Sequence, residues 1–472
     1  MNDKIKILYV SPEAVPFAGT GGLGDVAGSL PVALNYKKDM DCRLILPLYK
    51  TVKQEYREKM EFLGCKNIPV SWRQKYMGVF RLKMGRMTAY FIDNEEYFGR
   101  DNLYGYFDDC ERFAFFSRAV FEALEFMDFM PDIIHANDWQ SAMVPVYHDA
   151  FYKLPLKTIM TIHNIEYQGQ YSDFCRGDVL GLGEDQAHYV NWGKDINLLK
   201  GGITCANIIS TVSPTYAQQL RDPFYAHGLD GLINEYSFKL RGILNGIDTK
   251  LYDPEKDTMI AANYSAKDIS GKAECKKALQ EEMDLPVRDV PMIVMISRLV
   301  AHKGVDLLRE SIDGFLNTHD VQFVLLGTGD PFYEDFFRGL EGRHRDKVRS
   351  CIMFDRALSH RIYAAGDILL MPSKSEPCGL SQMIACRYGT VPLVRATGGL
   401  NDSIHDCSLG DGNGFVFGHY DAHSFGFVLD NAVQHWYDRE NWEKLVKHDL
   451  QEDFSWNKAA RDYAQMYRDL MI

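Results

Sequence analysis

Short, nearly unbroken apolar runs recur along the whole chain, and segments of helical length separate many of them. A strand with one solvent-exposed face alternates apolar and polar residues, so unbroken runs favour strands buried on both faces of a parallel sheet. Helices between such strands indicate βαβ units, and the sequence therefore predicts an α/β fold. Examples of the predicted strands are Ile5–Val10, Arg43–Leu46, Ile133–His135, Thr158–His163, Ile208–Val212, Met292–Ile296, Gln322–Leu326, Ile368–Met371 and Val391–Val394.

The chain has 472 residues. Because a single hydrophobic core rarely extends beyond about 250–300 residues, we predict two doubly wound domains. The boundary is predicted at the Asn245–Gly246 turn, which follows a strand and precedes polar, irregular sequence. The first predicted domain covers residues 1–245 and the second begins at residue 246. In such folds ligands bind beyond the carboxyl ends of the strands, so polar residues at those ends are the candidates for function.

Composition excludes several classes of function. With 52 Lys and Arg against 65 Asp and Glu, the formal net charge is −13, which disfavours nucleic acid as a partner. No apolar run approaches the roughly 20 residues of a membrane-spanning helix, and the N-terminal run predicts a strand, so we expect a cytoplasmic protein with no membrane partner. The ten cysteines form no CxxC pair, and no HExxH, GxSxG or Walker motif occurs. The sequence gives no signature of a metal site or a covalent nucleophile.

Three motifs follow predicted strands in the first half of the chain. The glycine-rich segment 19–24 could bind an anion through backbone N–H groups, although a tight turn without a ligand explains the glycines equally well. Asp138 and Trp139 could orient and pack against a sugar, but a helix-capping Asp and a core Trp are the more common explanation. His163 and Asn164 could bond ligand hydroxyls, whereas a lone His is usually a satisfied buried residue.

The second half of the chain has cationic and glycine-rich strand ends. Arg298 and Lys303 follow a predicted strand, and two cations at a strand end suit a diphosphate. Glu376 follows another strand and precedes a helix start, a combination that can hold a ribose or glucose diol. The alternative is that Glu376 only favours the helix N-terminus electrostatically. The turn Thr397–Gly399 is a second candidate for binding phosphate through backbone N–H groups.

Several short segments occur in one order along the chain, and together they are highly specific: TGGLGDV, HANDWQ, TIHNIEYQG, LNGID, SRLVAHKG, SEPCGL and RATGGL. This set resembles the family of bacterial glycogen synthases and plant starch synthases over nearly the whole chain. The resemblance implies a GT-B architecture, with two Rossmann-like domains facing each other across a cleft. It also implies that the second domain covers residues 246–455 and that a helix in residues 456–472 crosses back to the first. The implied reaction transfers glucose, with retention, from a nucleotide-glucose to the non-reducing-end 4-hydroxyl of an α-1,4-glucan.

By this resemblance the second domain binds the nucleotide-sugar donor, and residues of the first complete the sugar site. The implied donor-binding residues are Gly21, Gly22, Asn245, Arg298, Lys303, Phe354, Glu376, Cys378, Gly379, Leu380, Thr397, Gly398 and Gly399. The implied residues for the acceptor or sugar are Tyr97, Asp138, Trp139, His163 and Asn164. The implied catalytic residues are Asp138, His163, Arg298, Lys303 and Glu376. No metal and no cofactor is implied, and ADP-glucose is the implied co-substrate.

Two departures from the family pattern bear on activity. Gly19 stands where the family usually has a Lys, and one charge-assisted contact contributes roughly 1.5–3 kcal/mol. Asn137 and Gln140 replace the two His residues that usually flank the Asp-Trp pair. The lead interpretation is an ADP-glucose-dependent synthase, with the oligomeric state left open. The alternatives are a GT-B glucosyltransferase that uses UDP-glucose, or a glucan-binding homologue with little activity because of Gly19.

Overall fold

The computed structural model describes residues 4–472, so the first three residues of the first predicted domain lie outside the described part of the chain. The chain folds into two compact α/β units. The first unit comprises the chain up to Asn245 together with Trp456–Ile472, and the second comprises Gly246–Ser455. Each unit has its own sheet and its own buried apolar core.

The strands of the first unit are β1 Ile5–Val10, β2 Met40–Pro47, β3 Glu61–Val70, β4 Arg73–Met84, β5 Met87–Asp93, β6 Ile133–Asn137, β7 Lys157–Ile162, β8 Gln170–Ser172, β9 Asn191–Trp192, β10 Asp195–Asn197, β11 Ile208–Thr211 and β12 Leu240–Gly242. Nine of them form one sheet in the order β12-β11-β7-β6-β1-β2-β5-β4-β3. Its pairs are parallel from β12 to β5, and β3, β4 and β5 pair antiparallel. Residues 7–10 of the central strand β1 are buried, as its unbroken apolar run predicts.

Helices flank this sheet, and the first of them begins directly after the glycine-rich loop. The segment after β5 contains a long helix that ends in a 3-10 turn, Ala123–Phe126. The helices are α1 Gly22–Leu34, α2 Gln54–Arg57, α3 Glu95–Phe98, α4 Asp109–Glu122, α5 Met143–Tyr147, α6 Phe174–Asp178, α7 Leu198–Cys205, α8 Pro214–Gln219 and α9 Asp230–Glu235.

The second unit has six parallel strands: β13 Met292–Ile296, β14 Gln322–Leu326, β15 Val348–Cys351, β16 Ile368–Met371, β17 Val391–Arg395 and β18 Phe415–Phe417. Their order is β15-β14-β13-β16-β17-β18, which is the doubly wound pattern. The helices are α10 Ser270–Glu282, α11 Val305–Thr318, α12 Pro331–Arg343, α13 Arg356–Ala365, α14 Ser381–Arg387, α15 Gly398–Ser403, α16 Ala422–Tyr437 and α17 Arg439–Asp449.

The parallel part of each sheet reverses its strand order at one place. In the first unit β1 lies between β2 and β6, and in the second unit β13 lies between β14 and β16. Chain connections leave the sheet in opposite directions at such a point, which opens a crevice at the carboxyl ends of the strands. The loops after β1 and β6, and those after β13 and β16, are therefore the places where each unit can bind a ligand.

The last helix, α18 (Trp456–Leu470), belongs to the first unit and buries one apolar face. Small side chains let the helix approach closely, since Ala459, Ala460 and Ala464 are buried. Two tyrosines anchor it through hydrogen bonds. The Tyr467 hydroxyl lies 2.8 Å from Nδ1 of His135, and the Tyr463 hydroxyl donates to Oδ1 of Asn245 at 3.0 Å.

We predict that Tyr467→Phe destabilises the first unit by about 1–3 kcal/mol, because Nδ1 of the fully buried His135 loses its partner. Arg468→Ala is the matched control one residue further along, where a partly exposed ion pair with Asp39 contributes at most about 1 kcal/mol. Urea unfolding followed by circular dichroism measures both changes. Equal free energies of unfolding for the two variants would contradict the buried hydrogen bond.

Candidate active site

Asp138 follows β6 at the crevice of the first unit, and its backbone has an unusual conformation, with φ of 55°. Its side chain makes no capping hydrogen bond to the 3-10 turn Trp139–Ser141, so the helix-cap interpretation is wrong. The carboxylate instead accepts a hydrogen bond from the backbone N–H of His163 at 2.7 Å, and the N–H of Asn164 also contributes. Burial raises the pKa of Asp138 to about 7, and these donors partly oppose the rise.

His163 follows β7 and its ring is half-buried. Its Nε2 lies 2.8 Å from Oδ1 of Asn137, the last residue of β6. Burial lowers the pKa of His163 to about 3, so the ring is neutral at physiological pH. The Asn164 side chain turns back on its own loop, where Oδ1 accepts from the N–H of Glu166 at 3.0 Å. Asp138 and His163 are therefore brought together, with backbone N–H groups holding the carboxylate and the Asn137 side chain holding the ring.

The glycine-rich loop of the first unit leads from β1 into α1, and Gly21 and Gly22 are exposed at the helix start. A buried carboxylate that the sequence analysis overlooked organises this loop. Glu13 accepts from the backbone N–H and the hydroxyl of Thr20, at 2.6 and 2.8 Å. Burial raises the pKa of Glu13, and the Thr20 donors oppose that rise. The available signal was an acidic residue placed directly after a buried strand.

Three residues predicted to contact substrate are buried in the first unit. Tyr97 is 1% exposed, and its hydroxyl donates to the Glu111 carboxylate. Trp139 is 9% exposed and packs edge-on against Phe113, with ring centroids 5.3 Å apart. Asn245 is buried and bonded to the last helix, as described above. Their burial depends on tertiary packing that a local motif does not show.

An ion pair occupies the crevice of the second unit. Lys303 ends the 3-10 turn after β13, and Glu376 lies in the loop after β16. The Lys303 ammonium is 2.6 Å from the Glu376 carboxylate, which also accepts from the Ser373 hydroxyl at 3.1 Å. Glu376 is only 6% exposed. Neighbouring strands thus bring together two side chains that are 73 residues apart in the sequence.

Arg298 lies at the same strand end as Lys303 and is exposed. Among residues 4–472, its guanidinium has no hydrogen-bond or ion-pair partner. Phe354, in the loop after β15, is 92% exposed. An unpaired cation and an open aromatic face are therefore available to a ligand at the carboxyl edge of this sheet.

The turn Thr397–Gly399 packs directly against the loop that carries Glu376. The N–H of Gly399 donates to the Glu376 carbonyl at 3.1 Å. A Cβ on Gly398 would lie 1.9 Å from that carbonyl oxygen, and one on Gly399 would lie 2.1 Å from the Cys378 oxygen. Only glycine fits this close approach. Of the remaining predicted donor residues, Cys378 is buried, Gly379 has a φ of 70°, and Leu380 immediately precedes α14.

The part of the chain that the structure describes contains no group of three or more His, Cys, Asp or Glu side chains arranged to hold a metal ion. Among the same residues, no helix combines the length and the apolar character needed to cross a membrane.

Comparison with known proteins places both units in described families. Residues 6–235 match the family described as "Starch synthase catalytic domain", and residues 280–449 match "Glycosyl transferases group 1". A glycogen synthase from Finegoldia magna is 43% identical, over 99% of this chain and all of that protein. One from Clostridium perfringens is 44% identical, over 99% of this chain and 98% of that protein.

Solved structures agree with these matches. The catalytic domain of starch synthase IV from Arabidopsis thaliana, bound to ADP and acarbose, superposes with a TM-score of 0.91 and 37% identity, and the match covers 99% of both chains. A sucrose-phosphate synthase from Thermosynechococcus elongatus, 18% identical with a TM-score of 0.61, shares the fold. The predicted α/β fold of the GT-B class is confirmed. The chain belongs to the glycogen and starch synthase family of glycosyltransferases.

Proposed function

We propose that this protein lengthens an α-1,4-glucan by transferring glucose, with retention, from ADP-glucose to the 4-hydroxyl at the non-reducing end. The observation that carries the proposal is the Lys303–Glu376 ion pair beside the unpaired Arg298, in the crevice of the second unit. The ADP named in the starch synthase IV structure supports the choice of nucleotide. The cytoplasmic location expected from the sequence stays a prediction.

Transfer breaks the bond between the anomeric carbon and the diphosphate, and negative charge then develops on the leaving phosphate. Arg298 and Lys303 would stabilise this negative charge. Their positive charges are present in the site before the reaction, so little rearrangement is needed in the transition state. Glu376 holds the Lys303 ammonium in position and has a second carboxylate oxygen for a hydroxyl of the donor. Since two cations face the diphosphate in this scheme, we propose that no metal ion or organic cofactor takes part.

In the first unit we propose that Asp138 and His163 bind hydroxyl groups of the glucosyl substrate. Backbone contacts and Asn137 hold both side chains, so little conformational freedom is lost when a ligand binds. Tyr97, Trp139 and Asn245 would act indirectly, through the packing of the unit.

A glucan-binding protein with little activity is the second candidate, and Gly19 is the observation that favours it. The family Lys is missing here, and a Cβ at this position would meet only Val15 Cγ2 at 3.0 Å and the Gly24 Cα at 3.9 Å. Because the closer contact is a side-chain methyl and not backbone, a longer residue can be introduced at Gly19 if Val15 shifts by a few tenths of an ångström.

We predict that the wild-type protein transfers glucose to glycogen, and does so faster from ADP-glucose than from UDP-glucose. Gly19→Lys should lower the KM for the donor by about tenfold, since it restores one charge-assisted contact. Gly19→Met is the matched control, because it has a similar length and the same Cβ without the charge. Faster transfer from UDP-glucose would support the UDP-glucose alternative. No transfer from either donor would support the glucan-binding alternative, and rescue by Gly19→Lys alone would identify the missing cation as the cause.

We predict that Lys303→Met and Arg298→Met each lower kcat/KM by about 100-fold or more, because each removes charge stabilisation of the leaving group. Arg345→Met is the control, since Arg345 is exposed and precedes β15, at the amino edge of the same sheet. It should change kcat/KM by less than about twofold. Steady-state kinetics with ADP-glucose measure all three variants. Wild-type rates in Lys303→Met would refute the proposed role of the ion pair.

We predict a pH-dependent gain in stability for Asp138→Asn. In the unfolded chain the carboxyl ionises near pH 4, whereas in the folded protein burial raises its pKa to about 7. The free-energy cost of burying the ionised carboxyl therefore increases between pH 4 and pH 7 and stays at its full value above pH 7. The variant should gain stability over wild type as the pH rises from 4 to 8. A difference that is constant across this range, measured by thermal melts, would contradict the raised pKa.

A further inference from the structure

Asn137 is the last residue of β6 and is completely buried between two functional elements of the first unit. On one side it contacts Tyr9 of β1, and on the other it contacts His163 after β7. Asn137 stands where the family usually has a His, so its role cannot be inferred from the family motif.

The surroundings fix the orientation of the Asn137 side-chain amide. Its Nδ2 donates to the carbonyl oxygens of Val10 at 2.9 Å and His135 at 3.3 Å. A flipped amide would place its oxygen against both of these carbonyl oxygens, which have no proton to donate. Oδ1 must therefore face the other way, where the Tyr9 hydroxyl donates to it at 2.9 Å.

The fixed amide in turn decides which nitrogen of His163 carries the proton. Nε2 lies 2.8 Å from Oδ1 of Asn137, and that oxygen can only accept. The neighbouring groups supply no competing partner, because the Asp138 carboxylate bonds to the backbone of His163, and both ring nitrogens of His135 are bonded to Tyr467 and Thr161. A neutral ring with a proton on Nε2 leaves Nδ1 as a bare acceptor. Among residues 4–472, no side chain or backbone group is bonded to Nδ1.

We propose that Asn137 is a positioning residue that locks His163 in the Nε2–H tautomer, so that Nδ1 accepts a hydrogen bond from a substrate hydroxyl. The orienting groups are the two carbonyl oxygens that accept from Nδ2. The role assigned to the substrate hydroxyl rests on the proposed function, whereas the tautomer does not. An imidazole at position 137 has only two ring nitrogens and could not make the four contacts of the amide. This way of fixing the His163 tautomer is therefore specific to chains with Asn at position 137.

Nitrogen NMR on the wild-type protein, labelled with ¹⁵N only in histidine, tests the tautomer directly. His163→Gln assigns the signals by their disappearance. We expect one protonated nitrogen at Nε2 and one bare nitrogen at Nδ1, unchanged between about pH 6 and 8, where an ordinary histidine titrates. A proton on Nδ1, or a ring that becomes doubly protonated in this range, would overturn the proposal. This measurement does not depend on enzyme activity. Its result therefore remains interpretable even if the protein does not catalyse the proposed transfer.

Two variants connect the tautomer to the reaction. Asn137→Leu removes the acceptor, and we expect His163 to show a mixture of tautomers and kcat/KM to fall by about tenfold, the loss expected for one hydrogen bond to substrate. Tyr9→Phe is the matched control, since it removes a bond to the same oxygen without releasing the amide. It should keep the wild-type tautomer and most of the activity. A mixed tautomer with unchanged kcat/KM would show that His163 does not accept from substrate, and an unchanged tautomer in Asn137→Leu would show that Asn137 does not set it.

Discussion

The ion pair between Lys303 and Glu376 is the interaction on which the second unit's site depends. It forms because β13 and β16 are direct neighbours, with Ile293 opposite Ile368, so their carboxyl ends bring two distant loops together. Removing one partner would leave the other charge poorly solvated, at a cost of several kcal/mol. The close approach of the Gly398–Gly399 turn holds the Glu376 backbone in the same place. Lys303, held by its ion pair, and the exposed, unpaired Arg298 then offer two cations to an anion.

The first unit holds its candidate residues by hydrogen bonds, whereas the second uses an ion pair. Its candidate residues are held by buried polar contacts that run from Tyr9 through Asn137 to His163, and from the Asp138 carboxylate to the backbone. Low dielectric strengthens such contacts and makes unpaired groups costly, so the network is rigid when it is complete. The last helix joins this network through the hydrogen bond between Tyr467 and His135, two residues before Asn137 in β6. The proposed binding of hydroxyl groups and the anchoring of the last helix therefore share one strand.

The sequence predicted most of the parallel strands and the positions of most polar residues at their carboxyl ends, because unbroken apolar runs report burial on both faces. The parallel strands β5, β12, β15 and β18 were not identified from it. It did not predict the β3–β4 hairpin, since those strands are half-exposed and have no unbroken apolar run. The family resemblance assigned Tyr97 to the substrate, and local sequence did not show that its side chain is buried against Glu111. The sequence analysis also missed Glu13 and the role of Asn137, because each depends on a partner from a different loop or strand. The crossing of the last helix came only from the family resemblance.

A crystal structure of the protein with ADP is the decisive experiment, since ADP retains the diphosphate on which the proposed charge stabilisation acts. We predict that Arg298 and the Lys303 ammonium both contact diphosphate oxygens at the carboxyl ends of β13 and β16. A diphosphate bound without either cation, or bound away from this edge of the sheet, would contradict it.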